Sequence, residues 1–192
     1  METVSFLTTA QIVEVISAFH DALEAHKESI NRLNVYPVPD GDTGTNMFLT
    51  VASVLEEMRP ADLNDREAVC AAMSHGSLMG ARGNSGVILS QVLRGMSSGF
   101  AKAKDIDAEV LASALTEASV AADGAVMKPV EGTILTVVRE VARAAQEAAE
   151  TDSIVPTIEA ALREGEAALE RTPEQLSVLK EAGVVDAGGA GF

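Results

Sequence analysis

Apolar residues recur at spacings of three and four along almost the whole chain, and no stretch alternates apolar with polar. That periodicity builds helices with one buried face and no convincing strand. Thr8 to Gln11 reads as a capping box opening a first helix, with Ile12, Val15, Ile16, Phe19 and Leu23 inward and an end near Ile30. A second helix is expected from about Thr45 to Met58, stopped by Pro60. Asn64 and Glu67 are spaced to cap a third, carrying Val69, Met73 and Leu78 inward. Val87, Ile88, Val92, Leu93 and Met96 mark a fourth; Asp107 opens a fifth with Val110, Leu111, Leu115 and Val120. Thr133 opens a sixth with Ile134, Val138, Val141 and Ala145, and Ser153 or Asp152 a seventh with Ile158, Leu162 and Leu169. Thr172-Pro173-Glu174-Gln175 has the form of a helix start, and Gly183 of its C-cap. The sum is an all-α fold of roughly eight helices, whose alternate connections fall at one end if neighbours run up and down. Aromatic residues are only 3% and tryptophan is absent, so the core must be aliphatic and Ala-rich, which suits closely packed helices. A chain of 192 residues fits one such domain.

Between the first two helices lies Asn34-Val-Tyr-Pro-Val-Pro-Asp40-Gly-Asp42-Thr-Gly-Thr-Asn46-Met. Pro37 and Pro39 stiffen this strip and push Tyr36 and Val38 toward extended conformations. It delivers Asp40 and Asp42 just before a helix N-terminus. Such an arrangement holds a hard cation on its carboxylates and offers helix N–H groups to phosphate. An isolated Asp-Gly-Asp is more often a solvated turn; the proline brace and three further small-residue loops favour the ligand reading. The first of those, Gly80-Ala-Arg82-Gly83-Asn84-Ser85-Gly86, is either a tight connection capped by Asn84 or Ser85, or a phosphate cradle. It lacks the Gly-Lys-Ser/Thr ending of a Walker A loop. Arg82 either meets phosphate or lies along the surface. Met127 to Thr133 is the next, with Lys128 as a mobile or solvated cation and Thr133 as N-cap or phosphate ligand. The tail from Val184 to Phe192 is rich in glycine, which suits close backbone approach to a ligand, and it offers Asp186 as a polar contact; an exposed flexible end is the alternative.

The formal net charge is -15, which argues against nucleic acid and anionic membrane partners. An anionic nucleotide would need local neutralisation, which a bound cation supplies. Cys70 is the single cysteine, so no intramolecular disulfide forms, and a cytoplasmic setting is expected. Cys70 and His75 could make a nucleophile pair, but a buried thiol is the simpler reading. His20 and His26 read as surface or helix-end residues, and the many glutamates of the last third as a solvated exterior.

On Asn34–Met47, Gly80–Gly86, Val130–Leu135 and Val185–Gly189 the chain resembles a known family over nearly its whole length. That family is the nucleotide-binding domain shared by the L subunit of dihydroxyacetone kinase and the kinase subunit of bacterial fatty acid kinase. The form Val-Tyr-Pro-Val-Pro-Asp-Gly-Asp-Thr-Gly-Thr-Asn is more like the fatty acid kinase branch. The resemblance implies an eight-helix barrel with ATP at one rim. It implies one or two Mg²⁺ on Asp40 and Asp42, the residues assigned to catalysis, and points to Asn34 as a further ligand. Asn34 stands near a metal-binding aspartate of the dihydroxyacetone relatives, with a neutral amide and a spacing that differs by one residue. Thr43, Gly44, Thr45, Asn46, Gly83, Asn84, Ser85, Gly132, Thr133, Asp186 and Gly188 are the expected nucleotide contacts. The resemblance implies a fatty acid carboxylate, carried by a separate lipid-binding protein, as the acceptor and an acyl phosphate as the product. No general base stands out, which fits an acceptor already ionised near neutral pH. A dihydroxyacetone kinase L-type subunit, a non-catalytic magnesium–nucleotide module and a purely structural domain are the competing readings. Resemblance also implies an N-terminal piece of a longer multidomain protein, homodimeric through the full-length chain and not inserted in a membrane.

Overall fold

The computed structural model describes residues 4–149 and 153–192. Among them the long helices are α1 (Thr9–Leu33), α2 (Thr43–Met58), α3 (Arg66–Gly80), α4 (Gly83–Lys102), α5 (Ala108–Gly124), α6 (Ile134–Ala148) and α7 (Ile154–Gln175). Two short ones follow, α8 (Ser177–Ala182) and α9 (Ala187–Gly191). The described residues hold no strand, only an isolated antiparallel bridge between Leu7 and Ile106. Each long helix packs on the next in sequence, α2 also touches α4, and α9 sits on α1, α2 and α6. The result is an all-α ring of up-and-down helices around one core, the class the periodicity implies.

That core is aliphatic. Met47, Val51, Val54 and Met58 of α2, Leu89 and Val92 of α4, and Val138 of α6 are buried, and Phe100 is the one buried aromatic of the cluster. The α4–α5 pair shows why alanine and glycine are so frequent. A Cβ on Gly95 would lie 2.5 Å from Ala118 Cα, and one on Gly99 2.8 Å from Ala114 Cβ. The two helix backbones meet with almost nothing between them. The described residues contain no helix long and apolar enough to cross a membrane.

Several expectations are corrected. The first helix starts at its capping box, but Val15 faces solvent, as do Leu78, Val87, Val120, Ile158 and Leu162. Helix α3 is capped by Asp65, one residue beyond Asn64, through the Ala68 N–H. Asp152 lies outside the described residues, and Ser153 stands at the cap position of α7. Thr172-Pro173 does not begin a helix, because α7 runs through it to Gln175. Proline lacks the N–H that would bond the Leu169 carbonyl one turn back. The Thr172 hydroxyl donates to that carbonyl instead, at 2.7 Å, so the helix tolerates Pro173 in its last turn. Gly183 is the left-handed C-cap as expected, but of α8. The glycine-rich tail is neither exposed nor irregular: it forms α9, with Ala187, Gly188, Gly189 and Gly191 buried.

The α4–α5 contact yields a stability test. Gly95→Val places a branched side chain against the Ala118 backbone and should cost at least about 1–3 kcal/mol by overpacking. Gly124→Ala, where nothing lies within 4 Å of the added methyl group, should be neutral or slightly stabilising. Thermal unfolding followed by circular dichroism separates the two outcomes.

Candidate functional site

The braced strip is held from below by two asparagines at the end of α1. Backbone N–H groups of Asp42 and Thr43 donate to Asn34 Oδ1 at 3.2 and 3.3 Å, and Asn34 Nδ2 donates to the Val38 carbonyl at 2.9 Å. The Thr45 N–H donates to Asn31 Oδ1 at 3.1 Å, and Asn31 Nδ2 donates to Thr45 Oγ1 at 3.0 Å. These amides satisfy most of the N–H groups of the first turn of α2. Asp42 occupies the N-cap position, yet its carboxylate makes no cap hydrogen bond. Asp40 is exposed at the head of the turn through Gly41, whose φ is +69°. Among the described residues the two carboxylates therefore stand without protein donors.

Helix α4 begins alongside. Its connection from α3 is pinned to α2, where the Arg82 N–H donates to Thr50 Oγ1 at 3.3 Å and a Cβ on Gly80 would meet Ser53. Gly83, Asn84 and Ser85 form the first turn of α4, and no side chain caps it. All three line the cavity described below, and the Ser85 hydroxyl reaches the Thr43 carbonyl at 3.5 Å. The expected N-caps Asn84 and Ser85 are thus inside the helix, and Arg82 holds the cap position. The Arg82 guanidinium donates to the Met79 and Ala81 carbonyls and lies away from the cavity. Thr133, the N-cap of α6, turns its hydroxyl to the Val130 carbonyl at 2.8 Å instead of capping its helix.

These loops meet around one cavity of about 430 Å³, a size suited to a small-molecule ligand. Of the anticipated residues, Asn34, Asp40, Asp42, Thr43, Asn46, Gly83, Asn84, Ser85, Thr133, Asp186 and Gly188 line it, and so does Lys128. Gly44, Thr45 and Gly132 do not. A Cβ on Gly44 would sit 2.3 Å from the Lys27 carbonyl oxygen, so this glycine admits the backbone of α1. Thr45 faces Asn31, as above. Gly132, at φ +79°, packs on the Thr172 carbonyl, and its N–H donates to Thr136 Oγ1 at 3.0 Å. Asn34 lines the cavity, but its oxygen already accepts two N–H groups, which makes it a brace for the carboxylates more than a ligand beside them.

One side of the cavity is apolar: Tyr36, Val87, Ile88, Val126, Ile134 and Leu135. Periodicity has no means of separating these from core residues, since Val87, Ile88, Ile134 and Leu135 lie in the first two turns of helices whose apolar stripe they begin. Their position directly after small-residue loops is the available signal.

Asp186 is the buried titratable group of the site. Its Oδ2 accepts the Gly189 N–H at 2.7 Å, and the N–H groups of Gly188 and Ile134 also point at the carboxylate. It therefore caps α9 and covers the start of α6 at once. Its own N–H donates to Thr172 Oγ1 at 3.1 Å. Burial pushes its pKa up to about 6, against the pull of those N–H groups. Cys70 is buried and its thiol is pushed up to about 11 by desolvation, while the exposed His75 pairs with Glu57 at 3.4 Å. A Cys–His nucleophile is therefore ruled out.

The domain is thus a ring of helices with a cavity at the end where alternate helices begin, walled by small-residue loops and by two carboxylates without protein donors among the described residues. The chain belongs to the DAK2 domain family, whose model matches residues 37–192. It is 50% identical over 180 residues to protein YloV of Bacillus subtilis (strain 168), a match that covers 93% of this chain and 32% of that one. An uncharacterized protein of Staphylococcus haemolyticus is 49% identical over 171 residues, with 88% and 31% covered. The chain thus spans about a third of the length of these relatives. The fold is similar to a crystal structure of the dihydroxyacetone kinase of C. freundii, with a TM-score of 0.67, 17% identity, and 99% of this chain and 34% of that one covered.

The Asp186 carboxyl sets a pH dependence. Its folded pKa lies above its ordinary value of 3.8, so it favours the folded state fully below about 4, and that contribution is lost as pH rises through about 6. Asp186→Asn should remove this component. The stability of the variant relative to the unmutated chain should rise by on the order of 1–3 kcal/mol between pH 4 and 7. Urea unfolding at several pH values measures it; a difference independent of pH would mean that the carboxyl is not desolvated.

Proposed function

We propose that this domain binds ATP with Mg²⁺ in the cavity and transfers the terminal phosphoryl group to a fatty acid carboxylate, presented by a separate lipid-binding protein. The carboxylate oxygen bonds to phosphorus, the bond from phosphorus to the ADP oxygen breaks, and an acyl phosphate and ADP leave. The observation that carries this reading is the side-by-side placement of two unpartnered carboxylates and the uncapped first turn of α4 on one cavity. The donor set fits a hard cation: Asp40 and Asp42 would hold it, with Asn34 fixing their loop. Bound there, the cation supplies neutralisation of phosphate charge. The N–H groups of Gly83, Asn84 and Ser85 receive phosphate oxygens, and the apolar wall receives the base. Lys128, exposed on the rim, is placed to meet phosphate or the acceptor.

A carboxylate acceptor agrees with the cavity lining, which contains no histidine, and in which Asp186 is committed to backbone N–H groups. An ionised acceptor needs positioning and not deprotonation. The relation to dihydroxyacetone kinase keeps a hydroxyl acceptor as the second reading.

Calorimetric titration with a non-hydrolysable ATP analogue tests the first half. Binding should require Mg²⁺ and weaken by at least about tenfold in Asp42→Asn, a loss of roughly 1.4 kcal/mol or more. Binding indifferent to both the metal and the substitution would refute the site. The acceptor is tested with the full-length protein by hydroxylamine trapping, which captures an acyl phosphate and leaves a phosphate ester untouched.

A further inference from the structure

The apolar residues around the cavity fall into two sets. Ile134 and Leu135 belong to its wall and are buried, at 3% and 4% exposure. Pro37, Val38 and Met127 line its mouth and face solvent, Val38 by 55% and Met127 completely. Core packing explains the first set and not the second. Yet the exposed residues sit on tethered backbone. Val38 stands between Pro37 and Pro39, and its carbonyl accepts Asn34 Nδ2 at 2.9 Å. Met127 and Lys128 lie on the connection from α5 to α6, which is tied on both sides. The Val126 N–H donates to the Asp123 carbonyl at 3.2 Å, and Thr133 Oγ1 donates to the Val130 carbonyl at 2.8 Å. Pro129 holds Lys128 away from helical backbone. On a surface of net charge -15, apolar side chains held out at fixed places around a cavity mark a contact with a ligand.

The charge of the lining is as uneven as its exposure. Three carboxylates line the cavity, Asp40, Asp42 and Asp186, against one cation, Lys128. The Arg82 guanidinium is turned to backbone carbonyls outside. Asp42 and the open first turn of α4 belong to two helices packed on each other, where the Ser85 hydroxyl reaches the Thr43 carbonyl. Lys128 enters from the separate α5–α6 connection, next to Met127. An anionic acceptor that approaches three carboxylates and a triphosphate needs a countercharge, and a neutral hydroxyl compound does not. A solvent-facing apolar lip that carries a single cation is complementary to an amphiphilic anion: a carboxylate followed by methylene groups. We propose that Lys128 is the residue that selects the acceptor. It receives the carboxylate, while Pro37, Val38 and Met127 receive the first methylene groups of the acyl chain. The identity of this ligand rests on the phosphoryl-transfer reading above. Lys128 discriminates by charge, because the same lip gives a neutral alcohol its apolar contacts and withholds the ionic one.

Octanoate tests the lip, with octanol as its neutral match, by saturation-transfer NMR on the full-length protein in the presence of a non-hydrolysable ATP analogue and Mg²⁺. Saturation should reach the octanoate methylenes. Lys128→Met should weaken octanoate about five- to tenfold and octanol by less than about twofold. Lys128→Arg, which keeps the charge, should restore most of the affinity. Val38→Ser combined with Met127→Ser should weaken both probes, since both carry the chain. All three side chains are exposed, so these substitutions leave the packing intact. Octanoate binding that Lys128→Met leaves within about twofold would overturn the proposal, as would octanol binding as tight as octanoate. So would a loss of about tenfold or more in affinity for the ATP analogue on Lys128→Met, which would assign the lysine to phosphate. Lysine-dependent octanoate binding without Mg²⁺-dependent nucleotide binding would refute the phosphoryl-transfer reading and keep the lip. Nucleotide binding lost in Asp42→Asn, with octanoate indifferent to Lys128, would refute the lip and keep that reading.

Discussion

The site depends on an exchange of caps. A helix preceded by aspartate normally uses that carboxylate to bond its own first N–H groups. In α2 the Asn34 and Asn31 amides perform this task from the neighbouring helix, across nine and fourteen residues of sequence. The exchange is possible because Gly44 lets the start of α2 press against the Lys27 carbonyl. Any side chain there would push the helices apart and break the amide contacts. Asp42 is thereby released from the work of folding. A carboxylate freed in this way stays available, beside the positive end of the helix dipole.

The same division recurs around the ring. Helices α1, α3 and α5 are capped by their own side chains, Thr8, Asp65 and Asp107. Helices α2, α4 and α6, which start at the cavity, have no such bond from their N-cap residues. Up-and-down topology alternates the ends at which helices begin, so the starts of α2, α4 and α6 gather at one end. There Asn31, Asn34 and Asp186 bond N–H groups of α2 and α6 from elsewhere in the chain, and the first turn of α4 is left open to negative charge. The asymmetry between the two ends of the ring is thus written in local cap chemistry.

Much of this is legible in the sequence. Capping at Thr8 and Asp107, the Gly183 stop and the convergence of four small-residue loops all follow from local rules. The failures share a cause. Gly44, Gly132 and Thr45 are small or polar for the sake of a helix packed against them, and one-dimensional reading cannot tell a backbone neighbour from a ligand. Pro173 misleads because the hydroxyl that replaces its missing N–H belongs to the residue that resembles a cap. Ile158 and Leu162 have the spacing of core residues, and the spacing is sound. What spacing does not carry is which side of α7 meets the core, and these two residues fall outside it.

Asp186 accepts N–H groups from α6 and α9, and its own N–H is bonded to α7. Desolvating a carboxylate this way costs free energy that three backbone N–H groups only partly offset, as its raised pKa records. A buried charge of this kind is tolerated where the surrounding elements are held firmly enough to keep its donors aimed. Five residues of α9 cannot provide that alone, since a helix so short has little stability of its own. Gly188 and Gly189 secure it by packing against Ile134, Val137 and Leu169. The polar wall of the cavity is therefore as rigid as the seating of α9 on α1, α2 and α6.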